Sequence, residues 1–400
     1  MSGEHGGHPD LCLLAYSPVA SDARVLRQAR ALSRFFNVHL AGFGPRPPSL
    51  SDLERLHYFE LGTAGTTFAS GPKWRRIAAL GCRFSDRMAD LYCHHVSHMR
   101  YGWHFAQSRR FRVIYCNDVD TLPAAIAARR VNRSVKIVLD LHEYPTREFS
   151  DGDHWRLERK PFVTGIMKHQ APRAQATITV APSFVPLMRR EFGIRKPVVV
   201  LNAPGLVELP PRRPPDGRIR LIHHGACLRQ RRLEGMIGMM PWLDERFVLH
   251  FMLTDTDPEY RAELERSIPE ALRPRVVFEP PVPPDRIVET IARHDLGVFL
   301  LPPEIFNYEH AMPNKFFDFI GAGLAVAVGP SPNMARLVRE HDFGWVSDDF
   351  RPESLGRLLT SITPEVLEQK RRHAFEARRL FNADTEMEKL VALVQKVAGD

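Results

Sequence analysis

The sequence predicts an α/β protein of two doubly wound, Rossmann-like domains that face each other across a cleft. Apolar segments of strand length alternate with segments of helical spacing, which indicates parallel sheets covered on both faces. The alternation stops once, at a proline-rich stretch near the middle, and then resumes. The chain has 400 residues, enough for roughly two domains.

The first half begins with a strand, a helix and a second strand, and we assign residues 1–203 to an N-terminal Rossmann-like domain. Its predicted strands are nearly all apolar, as in a buried parallel sheet. The predicted strands are Leu11–Tyr16, Val38–Phe43, Val113–Cys116, Val135–Leu139, Ala176–Val180 and Val198–Leu201, and the predicted helices are Ala23–Phe36, Thr121–Arg130 and Ser183–Phe192.

Residues 204–217 contain five prolines and two glycines, which predicts a hinge without regular structure. We assign residues 218–383 to a C-terminal Rossmann-like domain and residues 384–400 to a C-terminal helix, whose return to the first domain the sequence leaves open. The predicted strands are Ile219–His223, Phe247–Leu253, Val276–Glu279 and Leu296–Leu301, and the helices Arg231–Met240, Pro258–Ser267, Pro284–His294 and one that begins at Asn314.

Composition is that of a soluble globular protein, with 44% apolar and 26% charged residues. No apolar run reaches the roughly 18 residues of a membrane span, and no secretory signal pattern is visible at the N-terminus. We therefore expect a cytoplasmic protein, with peripheral attachment to the inner membrane face left open. The five cysteines, Cys12, Cys82, Cys93, Cys116 and Cys227, include no Cys-x-x-Cys pair, which argues against a disulfide framework and a zinc site.

Residues 73–112 combine nine basic residues with seven interleaved aromatic residues and only two acidic residues. Such a mixture suits an anionic membrane surface, although an exposed helical face with its aromatic side chains in the core explains it equally well. Nucleic acid is not expected, because no recognised reading module accompanies the charge. The basic residues are Lys73, Arg75, Arg76, Arg83, Arg87, Arg100, Arg109, Arg110 and Arg112.

Several common classes of site are missing from the sequence. Neither the first strand of the first half nor that of the second is followed by G-x-G-x-x-G, and no G-x-x-x-x-G-K-[ST] occurs. No G-x-S-x-G elbow is present either. NAD, FAD, P-loop and serine-hydrolase chemistry are therefore not expected.

Two segments of the second half predict an anion site. A helix that begins with Asn314 and Lys315 at the carboxyl edge of a parallel sheet suits phosphate, and Asp318 one turn later can accept ribose hydroxyls. The alternative is an amphipathic helix with two solvated charges. Gly225 ends a strand, and three arginines follow at the start of the next predicted helix: Arg229, Arg231 and Arg232. Arginine forks suit a diphosphate, and a basic helix start opposes the helix dipole, so we favour anion binding over an exposed basic turn.

Together these segments resemble the donor half of retaining GT-B glycosyltransferases of family 4. The resemblance rests on Gly225 with Arg231 and on Pro-Asn-Lys-Phe-Phe-Asp-Phe-Ile-Gly-Ala-Gly before an apolar strand, and it runs from about residue 11 to residue 395. In the first half, the similar segments are Ser21-Asp22-Ala-Arg24-Val-Leu-Arg-Gln-Ala, Tyr115-Cys-Asn117-Asp118-Val-Asp120-Thr-Leu-Pro, Leu139-Asp140-Leu-His142-Glu143-Tyr and Leu201-Asn202-Ala-Pro204.

The resemblance implies roles for the donor-side residues. That family has two acidic residues eight apart near the donor, and Asp318 takes the second place, on the ribose. His310 stands in the first place, beside Glu309. Either Glu309 reaches the sugar after a one-residue shift, or Asn307, Glu309 and His310 bind donor hydroxyls together. Arg231 or Arg232 with Lys315 would form the basic pair at the diphosphate, and Arg229 would replace a basic residue that is absent at position 226.

In the first half, the resemblance places His142 beside the transferred sugar, with Glu143 next to it, and Ser21, Asp22 and Asp118 in acceptor-side loops. A core or capping histidine is the alternative for His142. Asp118 and Asp120 form a D-x-D pair, which is the metal signature of the other glycosyltransferase fold. Acidic residues at a helix start explain this pair, so no metal and no cofactor are expected.

The expected function is that of a retaining, metal-independent glycosyltransferase. The donor would be a nucleotide sugar, and the acceptor a glycan or lipid-linked acceptor in polysaccharide biosynthesis. Two alternatives remain open at this stage: a nucleotide-sugar epimerase of the same fold, and a non-catalytic basic scaffold that binds membrane or nucleic acid.

Overall fold

A computed structural model describes residues 8–62, 73–148, 152–211 and 216–399. The chain divides into two compact units, Met1–Val200 with Met387–Asp400, and Leu201–Glu386. Each unit is a parallel sheet with helices, so the predicted α/β class with two Rossmann-like domains is confirmed. Residues 212–215 of the predicted hinge lie outside the described residues.

The first unit contains a seven-stranded sheet with the order β3-β2-β1-β4-β5-β6-β7. Its order reverses between β1 and β4, and ligands of such folds bind beyond the carboxyl ends of strands at such a point. The strands are β1 (Asp10–Pro18), β2 (Asn37–Phe43), β3 (Leu56–Glu60), β4 (Val113–Asn117), β5 (Lys136–Leu141), β6 (Ala176–Thr179) and β7 (Val198–Val199). The helices are α1 (Ala23–Leu32), α2 (Lys73–Gly81), α3 (Asp86–His94), α4 (Ser97–Gln107), α5 (Leu122–Val131), α6 (Lys160–His169) and α7 (Phe184–Phe192).

The second unit contains a six-stranded sheet with the order β10-β9-β8-β11-β12-β13. Here the order reverses between β8 and β11. The strands are β8 (Ile219–Ala226), β9 (Phe247–Thr254), β10 (Val276–Glu279), β11 (Leu296–Phe299), β12 (Ala325–Val328) and β13 (Gly344–Val346). The helices are α8 (Glu234–Met239), α9 (Pro258–Ser267), α10 (Ile287–Ile291), α11 (Phe306–Glu309), α12 (Asn314–Gly321), α13 (Pro332–His341), α14 (Pro352–Thr360) and α15 (Pro364–Ala377).

The C-terminal helix α16 (Ala383–Gly399) belongs to the first unit from Met387 onward. Leu390 and Val394 are fully buried in the core that α1 and the first strands build. In addition, Arg112 Nε donates to the Ala398 carbonyl over 2.6 Å. The end of the chain therefore completes the core of the first unit.

The structure corrects the predicted start of the helix after Gly225. Residues Arg229–Arg231 form a 3₁₀ turn, and Arg232 has the left-handed φ of 50°, so α8 begins only at Glu234. The three arginines therefore precede the helix and do not oppose its dipole. The helix predicted over 284–294 is likewise shortened to α10, because a 3₁₀ turn, Pro284–Arg286, precedes it.

Strand β8 and helix α12 position the residues of interest in the second unit. β8 pairs with β9 and β11, and every residue of β12 is buried. Helix α12 ends at Gly321, and Gly323 with a φ of 65° turns the chain into β12. None of the helices in the described part of the chain combines the length and apolar character that crossing a membrane requires.

Candidate functional site

A buried lysine lies at the start of α12. Lys315 is only 5% exposed, and its Nζ donates to His223 Nε2 over 2.9 Å. His223 Nδ1 lies 3.0 Å from the Val298 carbonyl, which can only accept, so the proton of the neutral ring is on Nδ1. Nε2 therefore presents its lone pair to the ammonium group, and the ring fixes the position of the charge.

The charge on Lys315 is poorly solvated. Burial, together with the charge of Arg231, holds the pKa of Lys315 well below its ordinary value. Burial and the Lys315 charge likewise hold the pKa of His223 well below its ordinary value. The Phe299 ring, whose centroid is 4.6 Å from Nζ, adds an apolar wall with a weak attraction for the cation. An anion beside Lys315 would relieve both unfavourable effects.

Gly225, near the end of β8, lies against this lysine. Its φ is 109°, a backbone conformation that side chains other than that of glycine rarely adopt. A Cβ atom at this position would lie 3.5 Å from both Cε and Nζ of Lys315. Glycine therefore leaves open space beside the ammonium group, at the carboxyl edge of the sheet.

The three arginines after Gly225 have different environments. Arg229 forms an ion pair with Glu263 and Arg232 one with Glu304, and both side chains are more than half exposed. Arg231 is half-buried, and within the described ranges its side chain has no hydrogen bond or ion pair. Its charge acts on Lys315 and on both neighbouring histidines. Arg231 is therefore near enough to Lys315 for its charge to lower the pKa of Lys315.

Asp318 lies one turn after Lys315 and contacts the second histidine of β8. Its Oδ2 is 3.4 Å from His224 Nε2, and its side chain is 13% exposed. Burial, with the charges of Lys315 and Arg231, lowers the pKa of His224 to about 3, so this ring is neutral. Asn314 is exposed and accepts a hydrogen bond from Asn202 Nδ2 over 2.6 Å.

The residues considered for the first acidic place lie on and after α11. Glu309 is exposed at the end of this short helix, whereas Asn307 is only 7% exposed. The His310 ring lies 4.6 Å from that of Phe306, measured between centroids, and its carbonyl accepts from Asn333 Nδ2. Both the Glu309 role and the shared role remain predictions.

In the first unit, a buried carboxylate lies beside His142. Asp140 accepts from Arg24 Nε over 2.9 Å and from Arg24 Nη2 over 2.8 Å, from Gln28 over 2.6 Å and from the Tyr115 hydroxyl over 2.8 Å. His142 Nε2 is 3.8 Å from the same carboxylate. Asp140 itself is fully buried. This network holds the strand end from which His142 projects.

The carboxylate changes the proton affinity of His142. Burial alone would lower the pKa of the imidazole, but the neighbouring Asp140 charge outweighs it and raises the pKa above its ordinary value. For Asp140, burial is outweighed by the Arg24 and His142 charges, which hold its pKa well below the usual range. Glu143, the next residue, is exposed.

The predicted acceptor-side residues lie in two loops, one with Ser21 and Asp22 before α1 and one with Asp118 after β4. Asp22 caps α1 by accepting from the Val25 amide over 3.1 Å. Ser21 is exposed and donates to the Pro18 carbonyl. Asp118 has a left-handed φ of 70°, and burial raises its pKa. Asp120 is held by Arg159 over 2.7 Å, which is consistent with a structural role for the second member of the D-x-D pair.

Several residues that make these contacts have no role in the site predicted from the sequence. His223 and His224 precede Gly225 in a predicted strand. A pair of histidines among apolar strand residues is the sequence feature that could have indicated their part in the site. Asp140 and Arg24 are buried charges in segments that the family resemblance quoted, but their pairing across the sheet edge is visible only in three dimensions.

No protein-family model matches the sequence. No curated protein matches it either. Solved structures, however, match nearly its whole length. Sucrose-phosphate synthase from Thermosynechococcus elongatus has a TM-score of 0.72 at 12% identity and covers 97% of this chain and 99% of its own. Anabaena HepE in complex with UDP-glucose has a TM-score of 0.66 at 13% identity, and the match covers 97% of this chain and 100% of HepE. A glycosyltransferase from Rickettsia africae has a TM-score of 0.65 at 10% identity, and the match covers 97% of this chain and 98% of that protein.

At these identities the likeness establishes the fold. The chain has the GT-B fold, and the resemblance to GT-B glycosyltransferases that the sequence motifs indicated is confirmed at the level of the fold. The roles of individual residues are not decided by these comparisons.

Proposed function

We propose that this chain is a retaining, metal-independent glycosyltransferase that moves a sugar from a nucleotide-sugar donor to a glycan or lipid-linked acceptor. The observation that carries the proposal is the pair of cations at the end of β8. Lys315 is buried with a depressed pKa, and Arg231 is half-buried with no partner among the described side chains. Both arrangements are unfavourable without an anion, and a diphosphate supplies one.

The residue types match the chemistry of sugar transfer. The bond from the sugar C1 to the β-phosphate oxygen breaks, and negative charge develops on the leaving diphosphate. Lys315 and Arg231 are proposed to stabilise that charge without a metal ion. Removal of one such preorganised group typically costs about 3 kcal/mol in the barrier.

Retention is proposed to follow from attack on the face that the leaving group vacates. The acceptor hydroxyl oxygen forms the new bond to C1, and its proton passes to the departing β-phosphate oxygen. Asp318 is assigned to the ribose hydroxyls, and His142 to the transferred sugar, as the family resemblance implies. Glu309 and His310 are assigned to the donor sugar, as alternatives or together.

A uridine nucleotide is the first donor to examine. HepE, which shares the fold, is described in complex with UDP-glucose. The proposal for this chain rests on the site residues and on this likeness, and it leaves other bases as outcomes of a screen. UDP-, GDP- and ADP-sugars should be tested side by side.

We further propose that the acceptor is presented at an anionic membrane. The basic apolar surface is defined as the exposed residues Lys73, Trp74, Ile77, Leu80, Arg83, Phe84, Arg87 and Leu91 of α2, α3 and the turn between them. Phe84 is 86% exposed and Ile77 64%, which is unusual for such side chains in a folded surface. Exposed apolar groups beside cations suit a lipid interface that carries negative charge.

The activity test is a transfer assay without added Mg²⁺ or Mn²⁺, with release of nucleoside diphosphate and the anomeric configuration of the product followed by NMR. The proposal expects one preferred donor and a product with the configuration of that donor. A new sugar epimer formed from donor alone would establish the epimerase instead. Absence of any nucleotide preference in binding would favour the non-catalytic scaffold.

The membrane test is co-sedimentation with vesicles of phosphatidylglycerol or of phosphatidylcholine. Wild type should bind the anionic vesicles, and the double variant Ile77→Ser/Phe84→Ser should not. Val131→Ser is the matched control, because Val131 is 75% exposed in the same unit but outside the basic apolar surface. Equal loss in the control and the double variant would contradict the assignment.

A further inference from the structure

Three side chains with metal-ligand chemistry meet in the second unit. His250 lies on β9, Glu279 ends β10, and His294 lies just before β11. Each offers one ligand atom, and the three atoms all lie within 4.8 Å of one another. They come from three separate segments of the sequence, so no short metal-binding motif indicates the cluster.

The ring protons in this cluster cannot supply a hydrogen bond for every close contact between its polar atoms. His294 Nδ1 lies 3.0 Å from the Ile291 carbonyl and must carry a proton, because a carbonyl only accepts. In the neutral ring, His294 Nε2 is then a lone pair that faces Glu279 Oε1 at 3.4 Å. Two acceptors in contact need a cation between them, which is either a proton on the ring or a metal ion.

His250 adds a second nitrogen to the same oxygen. Its Nδ1 is 2.8 Å from Glu279 Oε1, while its Nε2 is buried and has no hydrogen-bond partner among the described residues. Because Nδ1 is the nitrogen that faces Glu279, a metal ion would bind there and the single proton of the ring would lie on Nε2. The cluster therefore contains more hydrogen-bond acceptor atoms than protons that can be donated to them.

Outer contacts already orient two of the three side chains, His294 and Glu279. The Ile291 carbonyl holds His294 by its Nδ1, and Arg293 binds the other carboxylate oxygen of Glu279 over 2.7 Å. Metal-binding histidines and carboxylates are usually oriented in this way by a second hydrogen bond. His294 is only 1% exposed, and the side chains of His250 and Glu279 are each 13% exposed.

The separations suit a small tetrahedral ion. Ligands at the usual zinc distances are about 3.3 Å apart in a tetrahedral site. The observed distances of 2.8 and 3.4 Å to Glu279 Oε1 bracket this value. Two imidazoles and one carboxylate favour Zn²⁺ and related transition metals over Mg²⁺ or Ca²⁺, which prefer oxygen ligands.

We propose that His250, Glu279 and His294 bind one divalent transition-metal ion, for which Zn²⁺ is the probe. The three ligands join β9, the edge strand β10 and the segment that leads into β11, and a water molecule would complete a tetrahedral site. It is separate from the donor cations: His250 pairs in register with Ile222, three residues before Gly225, or about 10 Å along the strand. The expectation that no zinc site exists rested on cysteine spacing, which such a site does not use.

The test uses the full chain, stripped with a chelator and titrated with ZnCl₂ by calorimetry. One equivalent should bind and raise the melting temperature. His250→Gln and Glu279→Gln should each lose at least about tenfold in affinity, since even an outer-shell change costs 10- to 100-fold. His57→Gln, which removes an exposed histidine of the first unit, should bind as wild type does and thereby controls for surface binding.

A second measurement keeps the proposal testable if a variant does not fold. Co²⁺ added to the unaltered chain should give the intense visible bands of a four-coordinate site, and X-ray absorption should count two imidazoles. Stoichiometric binding with these signatures supports the site. No binding at one equivalent, weak octahedral bands, or affinity unchanged in His250→Gln would overturn it and leave the cluster as an ion pair with a protonated His294.

Discussion

Lys315 Nζ and His223 Nε2 are 2.9 Å apart, and the proton on His223 Nδ1 makes the second nitrogen the acceptor. This hydrogen bond holds a buried ammonium group at the end of β8. It orients the group and leaves its charge poorly compensated, because burial and Arg231 both act against it. An anionic ligand is the missing element of this arrangement.

Binding of UDP should take up protons at pH values between the lowered pKa of free Lys315 and its higher pKa in the complex. The pKa of free Lys315 is well below its ordinary value of 10.5, and a bound diphosphate raises it again. UDP is fully ionised well above its second phosphate pKa of about 6, so protons taken up there go to the protein. Calorimetry in buffers of different ionisation enthalpy measures the uptake. Lys315→Arg, which stays charged throughout, should bind without uptake, and equal uptake in that variant would exclude Lys315 as its source.

Gly225→Ala should weaken UDP binding in addition to destabilising the fold. A residue with a Cβ at a φ of 109° costs on the order of 1–3 kcal/mol, and here the new atom also contacts Lys315. Gly44→Ala is the matched control, since Gly44 has a φ of 77° with nothing near its Cβ position. Both variants should melt earlier, but only Gly225→Ala should lose affinity. If both bind equally well, the space beside Lys315 is not used by the ligand.

Asp140→Asn should be strongly destabilising. It removes the partner of the buried Arg24 guanidinium, and an uncompensated buried charge costs about 3–5 kcal/mol. Asp52→Asn breaks the exposed pair with Arg30, for which at most about 1 kcal/mol is expected. Chemical denaturation of both variants gives the comparison. Similar losses in the two would show that the Asp140 network does not support the first unit.

His142 should make stability depend on pH. Its pKa in the folded chain is raised, so its contribution is complete below about pH 6.5 and is lost as pH rises through the folded-state value. The difference in melting temperature between wild type and His142→Gln should therefore be larger at pH 6 than at pH 9. In an Asp140→Asn background the pH dependence of this difference should be smaller or reversed, because burial by itself lowers the pKa of His142. A difference that grows with pH would reverse the assigned direction.

The sequence predicts the framework well, because alternating apolar and helical patterns report directly on buried parallel strands. The strands around Gly225 and the helix that begins at Asn314 are found where the pattern places them. The starts of α8 and α10 are wrong in the prediction, since 3₁₀ turns and the left-handed Arg232 are local choices that helical spacing does not encode.

Individual contacts are the part that sequence cannot supply. The sequence does not distinguish Arg229, Arg231 and Arg232 from one another. In the structure, Arg229 pairs with Glu263 and Arg232 pairs with Glu304, which leaves Arg231 as the candidate for binding the diphosphate. The His250, Glu279 and His294 cluster is likewise assembled from three separate segments. Both results depend on side-chain positions that only the folded sheet determines.

Binding of the preferred nucleotide sugar to wild type and to Arg231→Ala/Lys315→Ala tests the central claim most directly. Arg229→Ala/Arg232→Ala is the matched control, because it removes the same number of charges from the same sheet edge but from side chains already paired with acids. Calorimetry should show at least about a 100-fold loss in the first variant, about 3 kcal/mol, and a small change in the control. Equal affinity in wild type and Arg231→Ala/Lys315→Ala, with both folded, would contradict the claim that these two cations hold the donor.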